Sequence, residues 1–243
     1  AYPSGLISRF DLKQGSSPVQ YNANSSKNPK ILLVGDSHME QYSPRIVRLT
    51  REGRAKPSLF MTCGGCPPVG MPIIEDIKLL LSKIDSVETI IMAGAWMGYL
   101  NQDLTQKYKN LRSTIEKLSE GVDVIVVLDI PQDHLFDPRN QLTIEDRSKL
   151  TFQVSDFGIE DNISMQNTFP IGKRQLEFNK EMAEVLSASG VSVIDPMGTI
   201  CPKNICSAVD KSGRYIYKDT NHIRPFFIEE NIEFLDQFIL KKN

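Results

Sequence analysis

Ser37 stands where a short apolar run meets a turn. Ile31–Val34 read as a buried strand, Gly35 and Asp36 punctuate it, and Ser37-His38 open a stretch of helical character through Met39, Tyr42, Ile46 and Leu49. A hydroxyl at a strand end, ahead of a helix N-terminus, sits where α/β proteins place reactive groups, and the orphan N–H groups there can stabilise a developing oxyanion. On that context alone the position suits a plain N-cap serine better. Near the other end, Asp219-Thr220-Asn221-His222 places a carboxylate three residues before an imidazole. Acyl transfer through a serine needs a nucleophile, a base and a group that orients the base. Ser37, His222 and Asp219 are of those three types. His38, adjacent to Ser37, points elsewhere on the turn and is expected to be structural or a substrate contact. His134, in a polar irregular stretch, is expected to be a solvated loop residue.

The elements that must position these residues follow from periodicity. Ile31–Val34, Ser58–Thr62, Thr89–Ala93, Val122–Leu128 and Val191–Ile194 are short and nearly continuous in apolar character, the pattern of strands covered on both faces. Between them, Ile73–Ile84, Leu104–Leu118 and Leu176–Leu186 carry apolar residues at three- and four-residue steps. A last helix is expected with Ile228, Ile232, Leu235 and Ile239 on one stripe. Ser43-Pro44 interrupts the helix that opens at Ser37 and is expected to restart it, with Ser43 as N-cap. Strands alternating with helices imply an α/β fold with a parallel sheet. Residues 1–29 are polar and lack a core pattern, so they read as an extension or linker, leaving 30–243 as the folded domain. Asp129–Phe169 is the least regular stretch and follows a strand end, a place for a substrate lid or acceptor-binding segment.

The 243 residues suffice for one α/β domain with a full core. A net charge of −2 provides no global field for nucleic acid. No apolar run approaches the ~18 residues of a membrane span. No signal peptide is visible and the chain begins at Ala1, so its natural start is expected upstream. The cysteines form two close pairs, Cys63/Cys66 and Cys201/Cys206. Such spacing can hold zinc, but each pair lies in a Gly- or Pro-containing loop of a domain large enough to fold without metal, so disulfides in an oxidising compartment are expected. Three connectivities are possible; the local pairs Cys63–Cys66 and Cys201–Cys206 are the expectation. No nucleotide, metal or organic cofactor motif is present, and none is expected.

Gly35-Asp36-Ser37 near one end and Asp219-x-x-His222 near the other resemble the SGNH, or GDSL-like, hydrolase superfamily. The fuller set is narrower: Gly35-Asp36-Ser37-His38, the Cys66-Pro67-Pro68 loop, Ala93-Gly94-Ala95-Trp96, Cys201-Pro202…Cys206 and Tyr217–His222. It resembles the SGNH domain fused to bacterial acyltransferase-3 membrane proteins, which O-acetylate surface glycans. The resemblance implies a three-layer α/β/α, flavodoxin-like parallel sheet of about five strands. It implies Ser37 as nucleophile, His222 as base and Asp219 as orienting carboxylate. It also implies an oxyanion hole from the N–H of Ser37 and of Gly64 or Gly65. Trp96 stands where the superfamily usually has an Asn donor; losing such a donor typically costs about 10² to 10³ in rate. Trp96 is offered instead as a sugar-stacking surface, with His38 as a second substrate contact. The implied function is extracytoplasmic (periplasmic) O-acetyl transfer to a glycan acceptor such as lipopolysaccharide O-antigen, by a domain tethered to the inner membrane through an acyltransferase-3 partner. A carbohydrate acetylesterase and a non-catalytic glycan-binding module are the alternatives.

Overall fold

The structure, a computed structural model, describes residues 20–23, 28–68, 71–100, 104–118, 121–141 and 168–241. In chain order these form β1 (Gln20–Ala23), β2 (Ile31–Gly35), α1 (Ser37–Glu40), α2 (Ser43–Arg51), β3 (Ser58–Thr62), α3 (Met71–Lys83), β4 (Thr89–Ala93), α4 (Trp96–Leu100), α5 (Leu104–Leu118) and β5 (Asp123–Val127). There follow α6 (Pro138–Gln141), β6 (Thr168–Pro170), α7 (Lys173–Ser187), β7 (Ser192–Ile194), α8 (Met197–Ile200), β8 (Ile205–Ser207), α9 (Pro225–Asn231) and α10 (Asp236–Ile239). The main sheet runs β1-β3-β2-β4-β5-β7; β1 is antiparallel to β3 and the other five strands are parallel. A separate antiparallel pair joins β6 to β8.

Alternation along each strand separates two cores. Ile31, Leu33, Phe60, Ile91 and Val127 pack on one face with Met39, Ile46, Leu49, Ile228 and Ile239 from α1, α2, α9 and α10, and with Tyr42 between α1 and α2. Leu32, Val34, Met61, Met92 and Val126 pack on the other with Ile77, Leu111, Ile115, Met182 and Leu186 from α3, α5 and α7. This is a three-layer α/β/α arrangement. The parallel strands lie in flavodoxin order, so the switch point falls between β2 and β4, at their C-terminal ends. Gly35 ends β2 there. A Cβ at Gly35 would fall on the Ala93 carbonyl oxygen and 2.6 Å from the Met39 Cβ. Glycine is what lets α1 turn directly off the sheet between its neighbours.

Three expectations are corrected. Gln20–Ala23 lies inside the stretch read as an extension yet forms an edge strand on β3, in register from Gln20↔Thr62 to Ala23↔Leu59. An edge strand pairs through its backbone, so its four residues, Gln-Tyr-Asn-Ala, carry little sequence signal. The helix does restart at Ser43, but Tyr42 takes the cap position and no side chain caps it. The last helix is split: Ile232 is extended (φ −96°, ψ 97°), dividing α9 from α10, although Ile228, Ile232, Leu235 and Ile239 are all buried. Arg45 holds the break. Its guanidinium donates to the Glu229 carbonyl near the end of α9 and to the Asp236 carboxylate at the start of α10. It thereby satisfies an orphan carbonyl at one helix end and pairs the acidic residue at the next.

Candidate active site

Ser37 is the first residue of α1, and the cap is Asp36, whose Oδ1 accepts the His38 N–H at 2.7 Å. The Ser37 hydroxyl is therefore not spent on capping. The His222 Nε2 lies 2.8 Å from the Ser37 Oγ across 185 residues of sequence. The His222 Nδ1 lies 2.9 Å and 3.1 Å from the two carboxylate oxygens of Asp219. Asp219 Oδ1 also accepts the N–H groups of Asn221 and His222, a turn that bends the carboxylate back onto the ring. Burial opposes ionisation of Asp219, but the Asn221 N–H, the imidazole and the His222 N–H hold its pKa below the usual carboxylate range.

The loop carrying Asp219 and His222 is anchored on three sides. Tyr217 and Ile223 bridge its neck, and Lys218 N–H donates to the His222 carbonyl. Thr220 O accepts from Asp133 N–H, while Phe136 stacks on Tyr217 with ring centroids 4.2 Å apart. Those contacts come from the irregular stretch after β5; most of the expected lid, residues 142–167, lies outside the described residues. On the third side the Gln41 carboxamide spans from the His38 carbonyl to the Ile223 N–H, at 3.0 Å and 3.1 Å.

His38 is buried at 3% exposure, its ring 5.0 Å from that of His222. Burial, with a contribution from His222 and against the pull of Asp36, lowers its pKa to about 4, so it is neutral near pH 7. Its burial leaves little surface for the substrate contact expected of it. His134 is exposed, with Nδ1 3.1 Å from Asp133 Oδ1.

The β3 and β4 turns flank Ser37. Cys63 N–H donates to the Gly35 carbonyl, tying the β3 turn to the end of β2. Cys66 N–H closes that turn on Cys63 O, and Gly65 adopts φ +82°, a conformation that favours glycine. The disulfide Cys63–Cys66 spans the turn, and Cys201–Cys206 forms the second bridge. The N–H groups of Ser37, Gly64 and Gly65 donate to no acceptor among the described residues.

The Gly94–Met97 turn differs from the expectation. Trp96 is fully buried, donates its indole N–H to the Val127 carbonyl at 2.7 Å and belongs to the core on the α3–α5–α7 face. It offers no ring to a sugar. The nearby N–H groups are taken by two carboxylates that sequence reasoning passed over. Asp36 Oδ2 accepts from Ala95 N–H and the Tyr99 hydroxyl, at 2.9 Å and 2.7 Å. Asp129 accepts Trp96 and Met97 N–H, capping α4, and burial raises its pKa to about 7 against the pull of those N–H groups. Asp36 was visible within the motif itself. Asp129 carried no signal beyond its place after β5.

Among the described residues no cluster of acidic, His and Cys side chains is suited to a metal ion, and no helix is long and apolar enough to cross a membrane. A cleft of about 350 Å³ opens beside Ser37 and His222 along α2.

Solved structures place this architecture. The periplasmic domain of a lipopolysaccharide acetyltransferase from Salmonella ser. Paratyphi A matches with a TM-score of 0.63 at 14% identity, over 87% of this chain and 84% of that one. A Streptococcus pneumonia protein described as a candidate platelet activating factor matches with a TM-score of 0.55 at 16% identity, over 88% and 85%. No curated protein sequence matches. A family model described as an SGNH domain fused to AT3 domains matches residues 9–232. The chain therefore belongs to the family described as the SGNH domain (fused to AT3 domains).

Proposed function

We propose that this domain is an extracytoplasmic O-acetyltransferase that carries acetyl on Ser37 and passes it to a hydroxyl of a bacterial surface glycan. The observation that carries the reading is the chain of contacts from Asp219 through His222 to the Ser37 Oγ. In the first half-reaction the Ser37 Oγ attacks the acyl carbonyl of the donor while His222 Nε2 takes its proton. The imidazolium, held by Asp219, then protonates the leaving group. In the second half-reaction an acceptor hydroxyl gives its proton to His222, attacks the acetyl carbon and releases Ser37. The Ser37, Gly64 and Gly65 N–H groups, which donate to no acceptor among the described residues, would hold the oxyanion. With Asp36 and Asp129 occupying the N–H groups of the β4 turn, that turn contributes no Asn-like donor.

The fusion partner named by the family supports a membrane-embedded AT3 domain as the source of acetyl, and two disulfides support an oxidising, periplasmic setting. The same side chains would serve an acetylesterase, with water in the place of the acceptor. A fluorophosphonate probe tests the chemistry: labelling of Ser37, lost in Ser37→Ala, is expected. Absence of labelling in the folded protein would favour a glycan-binding module. Acetyl partition between water and glycan then separates esterase from transferase.

A further inference from the structure

The cleft beside the Ser37–His222 pair is lined unevenly. Pro44, Val47, Ile223 and Pro225 give it apolar surface. Its charged lining is mixed in sign: the cations Arg48, Arg51 and Lys218, and the carboxylates Glu40 and Glu229. Arg48 is already paired with Glu52 at 2.9 Å, which leaves two cations of the lining, Arg51 and Lys218, against two carboxylates, Glu40 and Glu229. The Glu40 and Glu229 carboxylates form no ion pair among the described residues. Glu229 holds Arg45 and Arg48 through its backbone carbonyl, which leaves the side chain unspent.

This lining discriminates between acceptor classes. A sugar hydroxyl both donates and accepts a hydrogen bond. Guanidinium and ammonium groups supply only donors, and carboxylates supply only acceptors, so a lining of both kinds satisfies a polyhydroxylated chain. An acidic glycan would gain from Arg51 and Lys218 but meet repulsion from Glu40 and Glu229. The apolar part of the lining suits the C–H faces of pyranose rings. We infer that the cleft along α2 is the acceptor subsite and that its acceptor is a neutral oligosaccharide, whose hydroxyls donate to Glu40 and Glu229 and accept from Arg51 and Lys218. The inference rests on the acyl-transfer reading above. In the step concerned, the acceptor O–H bond breaks and its proton passes to His222 Nε2. The acceptor oxygen bonds the acetyl carbon, and the Ser37 Oγ leaves and recovers that proton.

The test uses the 243-residue chain with p-nitrophenyl acetate as donor and a panel of neutral and uronate-bearing bacterial polysaccharide fragments as acceptors. Acetylated product and acetyl-Ser37 are read by mass spectrometry. Neutral fragments are expected to take the acetyl group, with yields the same within about twofold from about 0.02 to about 0.3 M salt. Glu40→Gln and Glu229→Gln should each lower the ratio of transfer to hydrolysis by about tenfold. The double variant Glu40→Lys/Glu229→Lys should move transfer toward the uronate-bearing fragments. The inference is overturned if the wild type prefers uronates, if transfer falls tenfold or more with salt, if no fragment is acetylated, or if both Gln variants keep the wild-type ratio. Failure of acetyl-Ser37 to form would remove the acyl-transfer reading itself, and the inference with it.

Discussion

Gln41 and Ile223 are 182 residues apart, yet the Gln41 Oε1 accepts the Ile223 N–H at 3.1 Å while its amide donates to the His38 carbonyl at 3.0 Å. One side chain thus joins the end of the helix that carries Ser37 to the segment that leaves His222. The Ser37–His222 separation depends on how those two pieces sit.

Removing that link should loosen the pair. Gln41→Met is expected to lower kcat for a small aryl acetate by about ten- to a hundredfold with little change in KM, since misplacement by about 1 Å costs about 10² in rate. Gln41→Glu keeps an acceptor for Ile223 N–H and should recover part of the loss. Equal kcat in wild type and both variants would remove the positioning role.

The two buried titrating groups near the site pull stability in opposite directions. His38 has its pKa lowered from 6.5 to about 4, so its contribution is present above about pH 6.5 and is lost as pH falls toward 4. Asp129 has its pKa raised from 3.8 to about 7, so its contribution is present below about pH 4 and is lost as pH rises through 7. Urea unfolding followed across that window should therefore give a steeper fall with rising pH in His38→Gln than in wild type. In Asp129→Asn the fall should weaken or reverse. Identical pH slopes in all three proteins would contradict these environments.

The disulfides should differ in reactivity. Cys201 and Cys206 are fully buried, whereas Cys66 is partly exposed beside the exposed Gly64 and Gly65. Mild reductant followed by alkylation is expected to modify Cys63 and Cys66 first. Replacing Cys201 and Cys206 by Ala should destabilise the fold by about 2 kcal/mol from loop closure. Early alkylation of Cys201 would contradict the order.

The parallel strands and the Ser37, Asp219 and His222 positions were legible because each leaves a local mark. Doubly covered strands are apolar throughout, and the three candidate residues sit in short motifs. Trp96 was misread for the opposite reason. An aromatic at a strand end looks the same whether it faces a ligand or turns inward to a carbonyl, and only the Val127 acceptor and the surrounding core distinguish the two. The break at Ile232 was hidden because its stripe stays buried on both sides of it. The agent that holds the break, Arg45, is distant in sequence. Asp129 and Gln41 act through partners 32 and 182 residues away, beyond the reach of any spacing rule.

The central claim is that Ser37 carries the acyl group with His222 as its base. Rapid quench of the chain with p-nitrophenyl acetate, followed by peptide mass spectrometry, tests it most directly. Acetyl on Ser37 is expected in the wild type, none in Ser37→Ala, and formation slowed by about 10³-fold or more in His222→Ala. Asp219→Asn should retain a weak residue of the rate. Undiminished turnover in Ser37→Ala, or acetyl found on another residue at the same rate, would contradict the account.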